Sequence, residues 1–149
     1  MEDLIIEFKN ESDIPTLVEL SKTFEEEKIC NGIVADDYDY FKKVDVAVAR
    51  LKGEIIGYIH GRFEYKTENN KFFYVGQKTY YIEEMYVKKE YRSMGVGKEL
   101  FKFIEEYAKM ESAEYIEVTA VSKDYKRLLD FYEEVGMMYW YSELNKKLV

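Results

Sequence analysis

The chain has 149 residues, 47% apolar and 35% charged, with a formal net charge of −8. That length suits one domain over residues 1–149, and the balance excludes a disordered chain. A net acidic chain is a poor partner for nucleic-acid phosphates and a better one for a cation. No apolar run is long enough to span a bilayer, so no membrane partner is expected.

Met1-Glu2-Asp3 is too acidic to open a secretory leader. Cys30 is the single cysteine, which rules out an intrachain disulfide and suits a reducing compartment. The expectation is a cytoplasmic protein. In chain order, Leu4 to Phe8 reads as a strand. Ser12 or Asp13 then caps a helix with Pro15 in its first turn and Ile14, Leu17, Val18, Ser21 and Phe24 along one face. Asp36 to Lys43 forms a second short helix. Three strands follow, at Val44–Leu51, Glu54–Tyr65 and Phe72–Val87, with turns at Lys52-Gly53-Glu54 and Thr67-Glu68-Asn69-Asn70. Val96, Leu100, Phe103, Ile104, Tyr107 and Ala108 mark a helical stripe. Tyr115–Val121 returns to strand, Leu128 to Val135 is a helix stopped by Gly136, and Met137–Leu148 is a last strand. The reading is an α/β (α+β) fold, a mixed and mostly antiparallel sheet of six to seven strands flanked by four helices.

The stretch from Ile82 to Lys98 carries the chemistry. A strand ends near Val87, and a helix opens on Arg92-Ser93-Met94-Gly95-Val96-Gly97-Lys98. The first amides of a helix have no partner within it and lie at the positive end of its dipole. Gly95 and Gly97 lack a Cβ, so a phosphate can approach the backbone, and Arg92 and Lys98 can add charge. The spacing does not fit a P-loop, because Glu99 stands where Ser or Thr is needed. It does not fit the dinucleotide fingerprint either, because Leu100 replaces the third glycine.

Arg92-x-x-Gly95-x-Gly97 resembles the (Gln/Arg)-x-x-Gly-x-(Gly/Ala) signature of the GNAT superfamily of N-acetyltransferases. Phe131-Tyr132-Glu133-Glu134-Val135-Gly136-Met137 is similar to that family's Phe-Tyr-x-x-x-Gly-Phe segment, and the element order agrees over the whole chain. The resemblance implies acetyl-CoA as acetyl donor and a sheet that splays after its fourth strand to admit pantetheine. It implies backbone contacts to pantetheine and the thioester at Met85, Tyr86 and Val87. It also implies a pyrophosphate held by amides among Arg92, Ser93, Met94, Gly95, Val96, Gly97 and Lys98. Ser122 and Tyr125 stand where the family often has pantetheine-side asparagines. A homodimer is a family-level expectation.

Amine attack needs a neutral amine, whereas a lysine-like ammonium titrates near ~10.4, and a carboxylate within reach, directly or through a water, can remove the proton. Glu83 and Glu84 are the candidates. Strand alternation brings only one of them to the cleft unless a bulge intervenes, and a resemblance to the Glu-Asp-Phe-Phe-Val run of polyamine acetyltransferases favours Glu83. Tyr132 matches the family's general-acid tyrosine. His60 reads as structural, and one Cys with one His supplies no typical zinc site, so no metal is expected. The acceptor is a primary amine of a small molecule or peptide, with a cationic one suiting the acidic balance. A non-catalytic acyl-CoA-binding sensor keeps the glycine turn and needs neither Glu83 nor Tyr132, and a purely structural interaction domain binds no coenzyme A.

Overall fold

The β-branched and aromatic runs pair with one another in chain order. A computed structural model describes residues 1–149. Its elements are β1 (Leu4–Phe8), α1 (Ile14–Glu27), α2 (Tyr38–Lys43), β2 (Val46–Leu51), β3 (Glu54–Tyr65), β4 (Lys78–Val87), α3 (Val96–Met110), β5 (Tyr115–Val118) and α4 (Tyr125–Glu134). The sheet order is β1-β2-β3-β4-β5. The first four strands are antiparallel, and β5 lies parallel to β4. No helix is long and apolar enough to cross a membrane.

Alternation along the strands sends side chains to two separate cores. Ala47, Ala49, Ile56, Ile59, Tyr80 and Ile82 face α3 and α4, where Leu100, Phe101, Ile104 and Tyr132 are buried. Val46, Val48, Ile55, Tyr58 and Tyr86 face α1 and α2, against Leu17, Leu20, Phe24 and Phe41. Each fully buried side chain of this size contributes about 1.5–3 kcal/mol relative to exposure. The helices are therefore held by their apolar stripes. Local capping adds to this: Asp37 Oδ1 accepts from the Tyr40 amide at 2.8 Å where α2 begins.

The sheet is mixed and mostly antiparallel with four helices, as expected, but it has five strands rather than six to seven. Three segments read as strand behave differently. Residues 72–77 form a tight loop before β4. Asn70 Oδ1 takes the amides of Phe72 and Phe73, and Asn69 Oδ1 takes that of Val75, each at 2.8 Å. Those side chains claim the donors a ladder would need. Residues 119–121 leave the sheet because their backbone pairs elsewhere: Asn31 N donates to Val121 O and Lys123 N to Ile29 O, each at 2.9 Å. Residues 137–149 form no strand. Trp140 packs edge-on to Phe72 with centroids 4.2 Å apart, drawing this segment to the 72–77 loop. Strand propensity is realised only through a pairing partner.

Candidate functional site

Pairing between β4 and β5 stops at Ile82↔Val118. Beyond it β4 runs on to Val87, still paired to β3 on one side only. The chain after β5 is meanwhile held by the 29–31 segment through the Cys30↔Ser122 bridge. The two parallel strands therefore part, leaving one edge of Glu83–Val87 open. Lys88 N donates to Ile56 O at 2.9 Å. Because antiparallel bonding alternates, the amides of Tyr86 and Lys88 point to β3, and those of Met85 and Val87 point to the open edge. The Val87 carbonyl on that edge accepts from Arg92 Nε at 2.8 Å.

The loop after β4 turns through two left-handed residues, Ser93 (φ 62°) and Gly95 (φ 89°), before α3 starts. From Ser93 to Lys98 no amide donates to a main-chain carbonyl; Glu99, bonded to Gly95 O at 3.1 Å, is the first of the helix to do so. Successive bared amides at a helix N-terminus make an anion-binding concavity. The charged side chains of the motif are engaged elsewhere. Arg92 Nη2 meets Glu27 Oε2 at 2.6 Å, and Lys98 Nζ meets Glu134 Oε2 at 2.6 Å. Arg127 of α4 reaches the loop instead, its Nη2 donating to Ser93 Oγ at 2.8 Å. Ser122 is bound into the local turn, its Oγ accepting from Asp124 N at 3.1 Å, and Tyr125 is exposed at the start of α4.

On the other face of β4, Glu83 and Glu84 come together. The β3–β4 register shifts between His60 and Gly61, so that His60 faces Glu84, Gly61 faces Ile82, and Glu83 is the extra residue. Ile82 stays in the core under α3, while Glu83, Glu84 and Tyr86 all turn toward α1 and α2. A bulge re-aims side chains in this way. Glu83 is fully engaged: Oε1 takes Arg62, and Oε2 takes the Tyr40 hydroxyl at 2.9 Å. The neighbouring His60 imidazole, the Tyr40 hydroxyl and Arg62 together outweigh burial and hold its carboxyl down at about 2. Glu84 accepts a hydrogen bond from the Tyr58 hydroxyl, and burial pushes its carboxyl above the usual range. Asp36 faces the same space from the loop before α2, and its carboxyl is likewise raised by burial.

His60 sits among these acids, 1% exposed. Its Nε2 lies 4.0 Å from Asp36 Oδ2 and its Nδ1 3.6 Å from Glu83 Oε2, and neither nitrogen has a hydrogen-bond partner. The ligand atoms of Asp36, His60 and Glu84 lie within 4.8 Å of one another. The sequence reading, with one Cys and one His, had no way to see this cluster. Tyr132 is buried beneath α4, 7% exposed. Burial first, and the Cys30 thiol second, raise its hydroxyl so that it keeps its proton at neutral pH.

Sequence reasoning missed Arg127, Asp36, Tyr40 and Tyr58. Of these, only Arg127 lay close to a motif in the chain, four residues before Phe131.

Comparisons with known proteins place this fold in a family. The model of the Acetyltransferase (GNAT) family matches residues 14–137. Three solved structures share the fold. One is an aminoglycoside acetyltransferase from an uncultured soil metagenomic sample in complex with sisomicin, at 22% identity, 96% of this chain, 97% of that one and a TM-score of 0.69. Another is a Bacillus halodurans protein at 20% identity, with coverages of 97% and 99% and a TM-score of 0.79. The third is a ribosomal-protein-alanine N-acetyltransferase from Brucella melitensis at 17% identity, with coverages of 98% and 99% and a TM-score of 0.69. No curated protein matches. With its motifs, its topology and 124 consecutive residues answering to one family description, the chain belongs to the GNAT acetyltransferase family.

Proposed function

We propose that this chain transfers the acetyl group of acetyl-CoA to a primary amine of a cationic small molecule, by direct attack in a ternary complex. The observation that carries this reading is the row of amides from Ser93 to Lys98 with no main-chain acceptor, set where β4 and β5 part. Those amides suit a pyrophosphate, and Arg127 adds the positive charge that Arg92 and Lys98 spend on Glu27 and Glu134. The pantetheine arm then runs along Met85, Tyr86 and Val87 toward Tyr125. The Met85 amide is the donor for the thioester oxygen, which gains negative charge as the amine attacks.

The amine enters from the α2 face of β4, among Asp36, Glu83 and Glu84, where fixed negative charge favours a cation. Glu84 is the base. Both Glu83 oxygens are already taken by Arg62 and Tyr40, whereas Glu84 has one oxygen bonded to Tyr58. Glu83 positions Tyr40 and Arg62 beside it. The amine nitrogen bonds to the carbonyl carbon, Glu84 receives a nitrogen-bound proton, and the carbon–sulfur bond breaks. Tyr132 gives the departing thiolate a hydrogen bond. Among the fold relatives is an aminoglycoside acetyltransferase in complex with sisomicin, which supports including aminoglycosides among the candidate acceptors.

The test is calorimetry with acetyl-CoA, followed by free-thiol release across a panel of polyamines, aminoglycosides and lysine peptides. The expected result is saturable binding, with turnover highest for small polycations. Binding without turnover on any amine overturns the catalytic assignment, and no binding overturns the whole reading.

A further inference from the structure

We propose that Asp36, His60 and Glu84 form a site for one divalent first-row transition ion, Zn²⁺ or Co²⁺ in type, on the α2 side of β4. His60 carries the argument. It is 1% exposed, and both of its ring nitrogens lack a hydrogen-bond partner. A buried polar group is ordinarily paired, and an imidazole left unpaired among carboxylates calls for a ligand. The two acids beside it are also short of positive charge. Arg62, the basic side chain bonded to Glu83, is divided between Glu83 and Glu64. Asp36 has no Lys or Arg within ion-pair distance, and Glu84 is bonded to the neutral Tyr58 hydroxyl. Partly buried carboxylates without counter-charge are costly, and a bound cation relieves that cost.

The donor set fits such an ion. One imidazole and two carboxylates are the mixed nitrogen and oxygen ligands that Zn²⁺ and its neighbours accept, and three protein ligands leave a coordination position open. Ligand atoms around a tetrahedral ion of this size stand about 3.4 Å apart, from bonds of about 2.0–2.2 Å. Here they stand within 4.8 Å, with His60 Nε2 and Asp36 Oδ2 at 4.0 Å. Closing the set requires a shift on the order of 1 Å, and Asp36 lies on the loop between α1 and α2, the part best able to supply it.

The site shares Asp36 and Glu84 with the proposed amine pocket, so a bound ion and a cationic acceptor would compete for it, and the test for the ion is run on the intact chain without acetyl-CoA or amine. Titration with Zn²⁺ by calorimetry, and with Co²⁺ by visible absorption, should show saturation at one ion per chain and the absorption of a low-coordinate cobalt centre. Asp36→Asn and His60→Gln should each weaken Zn²⁺ binding at least tenfold. Cys30→Ser should leave it unchanged, which removes the lone thiol as the source. Asp36 is on a partly exposed loop, so Asp36→Asn decides the matter even if His60→Gln fails to fold. No saturable binding, undiminished affinity in Asp36→Asn, or loss in Cys30→Ser would overturn the site. Acetyl-CoA affinity measured on the same variants reports separately on the proposed transfer reaction.

Discussion

Replacing Gly97 with alanine separates what a ligand needs from what the fold needs. Gly97 lies in the first turn of α3, and a Cβ there would stand 3.4 and 3.5 Å from the Phe131 ring and 3.9 Å from Met85 Cε. These are ordinary contact distances, so nothing in the protein has to move. Alanine is better than glycine within a helix by up to about 1 kcal/mol, so Tm should hold or rise by roughly 2–4 °C. The same methyl group enters the gap between α4 and the Met85 stretch of β4, beside the bared amides. Displacing one hydrogen bond to a charged ligand there costs about 1.5–3 kcal/mol, which is roughly 10- to 100-fold in Kd. Calorimetry with acetyl-CoA and a thermal melt on one preparation give both numbers. Full affinity at an unchanged Tm would refute the placement of coenzyme A in this cleft, and a joint loss of stability and affinity would assign Gly97 to the fold.

Glu84→Gln should lower kcat/KM by about 10²–10⁴ with acetyl-CoA affinity unchanged, and Glu83→Gln should lower it less; steady-state kinetics giving the larger loss to Glu83→Gln would reverse the two roles. Tyr132→Phe should reduce kcat by a factor on the order of 10² while leaving coenzyme A binding near wild type; equal losses in both would leave Tyr132 as a packing residue. Asp13 offers a pH test far from the cleft. Burial alone would raise its carboxyl, but Arg50 Nη2 at 2.9 Å and the Asn10 amide at 3.0 Å prevail and lower it. A carboxyl lowered on folding stabilises fully above its unfolded value of about 3.9, and that stabilisation is lost as pH falls through the lower folded value. Asp13→Asn should therefore lower Tm at pH 7 by about 3–12 °C, from about 1.5–3 kcal/mol, and the gap from wild type should close below about pH 4. A gap that stays constant down to pH 3 would contradict this.

The features legible in the sequence were those encoded within a few residues. The amides opening α3 follow from Gly95 and Gly97 at the end of a strand, and the α4 tyrosine follows from the Phe-Tyr segment. Features made by distant segments were not legible. Asp36 reaches the acidic pocket through the loop that also pairs residues 29–31 with 121–123, and no periodicity records that pairing. Arg92 and Lys98 are paired with Glu27 and Glu134, and Arg127 of α4 is the basic side chain that reaches Ser93 in the loop. Residues 137–148 show that an aromatic, strand-like composition is no strand without a partner. Met138, Tyr141 and Leu144 are at least 77% exposed there.

The acidic pair depends on one residue that carries no charge. Without the bulge, simple alternation would set Glu84 on the same face as Ile82, under α3 beside Leu100 and Phe101, and a carboxylate there would be buried without counter-charge. The bulge turns Glu84 to the face of His60, and Gly61 makes it possible: a Cβ on Gly61 would lie 2.2 Å from Tyr81 O, 2.8 Å from Tyr80 Cε1 and 3.0 Å from Ile82 Cα. Two of those atoms belong to the partner backbone, so no rotamer change relieves the clash. Gly61→Ala must then either open the β3–β4 ladder or move the bulge and drive Glu84 toward the apolar core, which costs several kcal/mol. The expected result is a Tm lowered by at least about 6 °C, from about 3 kcal/mol, together with loss of turnover. A Gly61→Ala protein that melts with wild type and acetylates amines at full rate would mean that the two carboxylates do not need this backbone, and Glu84 would lose its claim as the base.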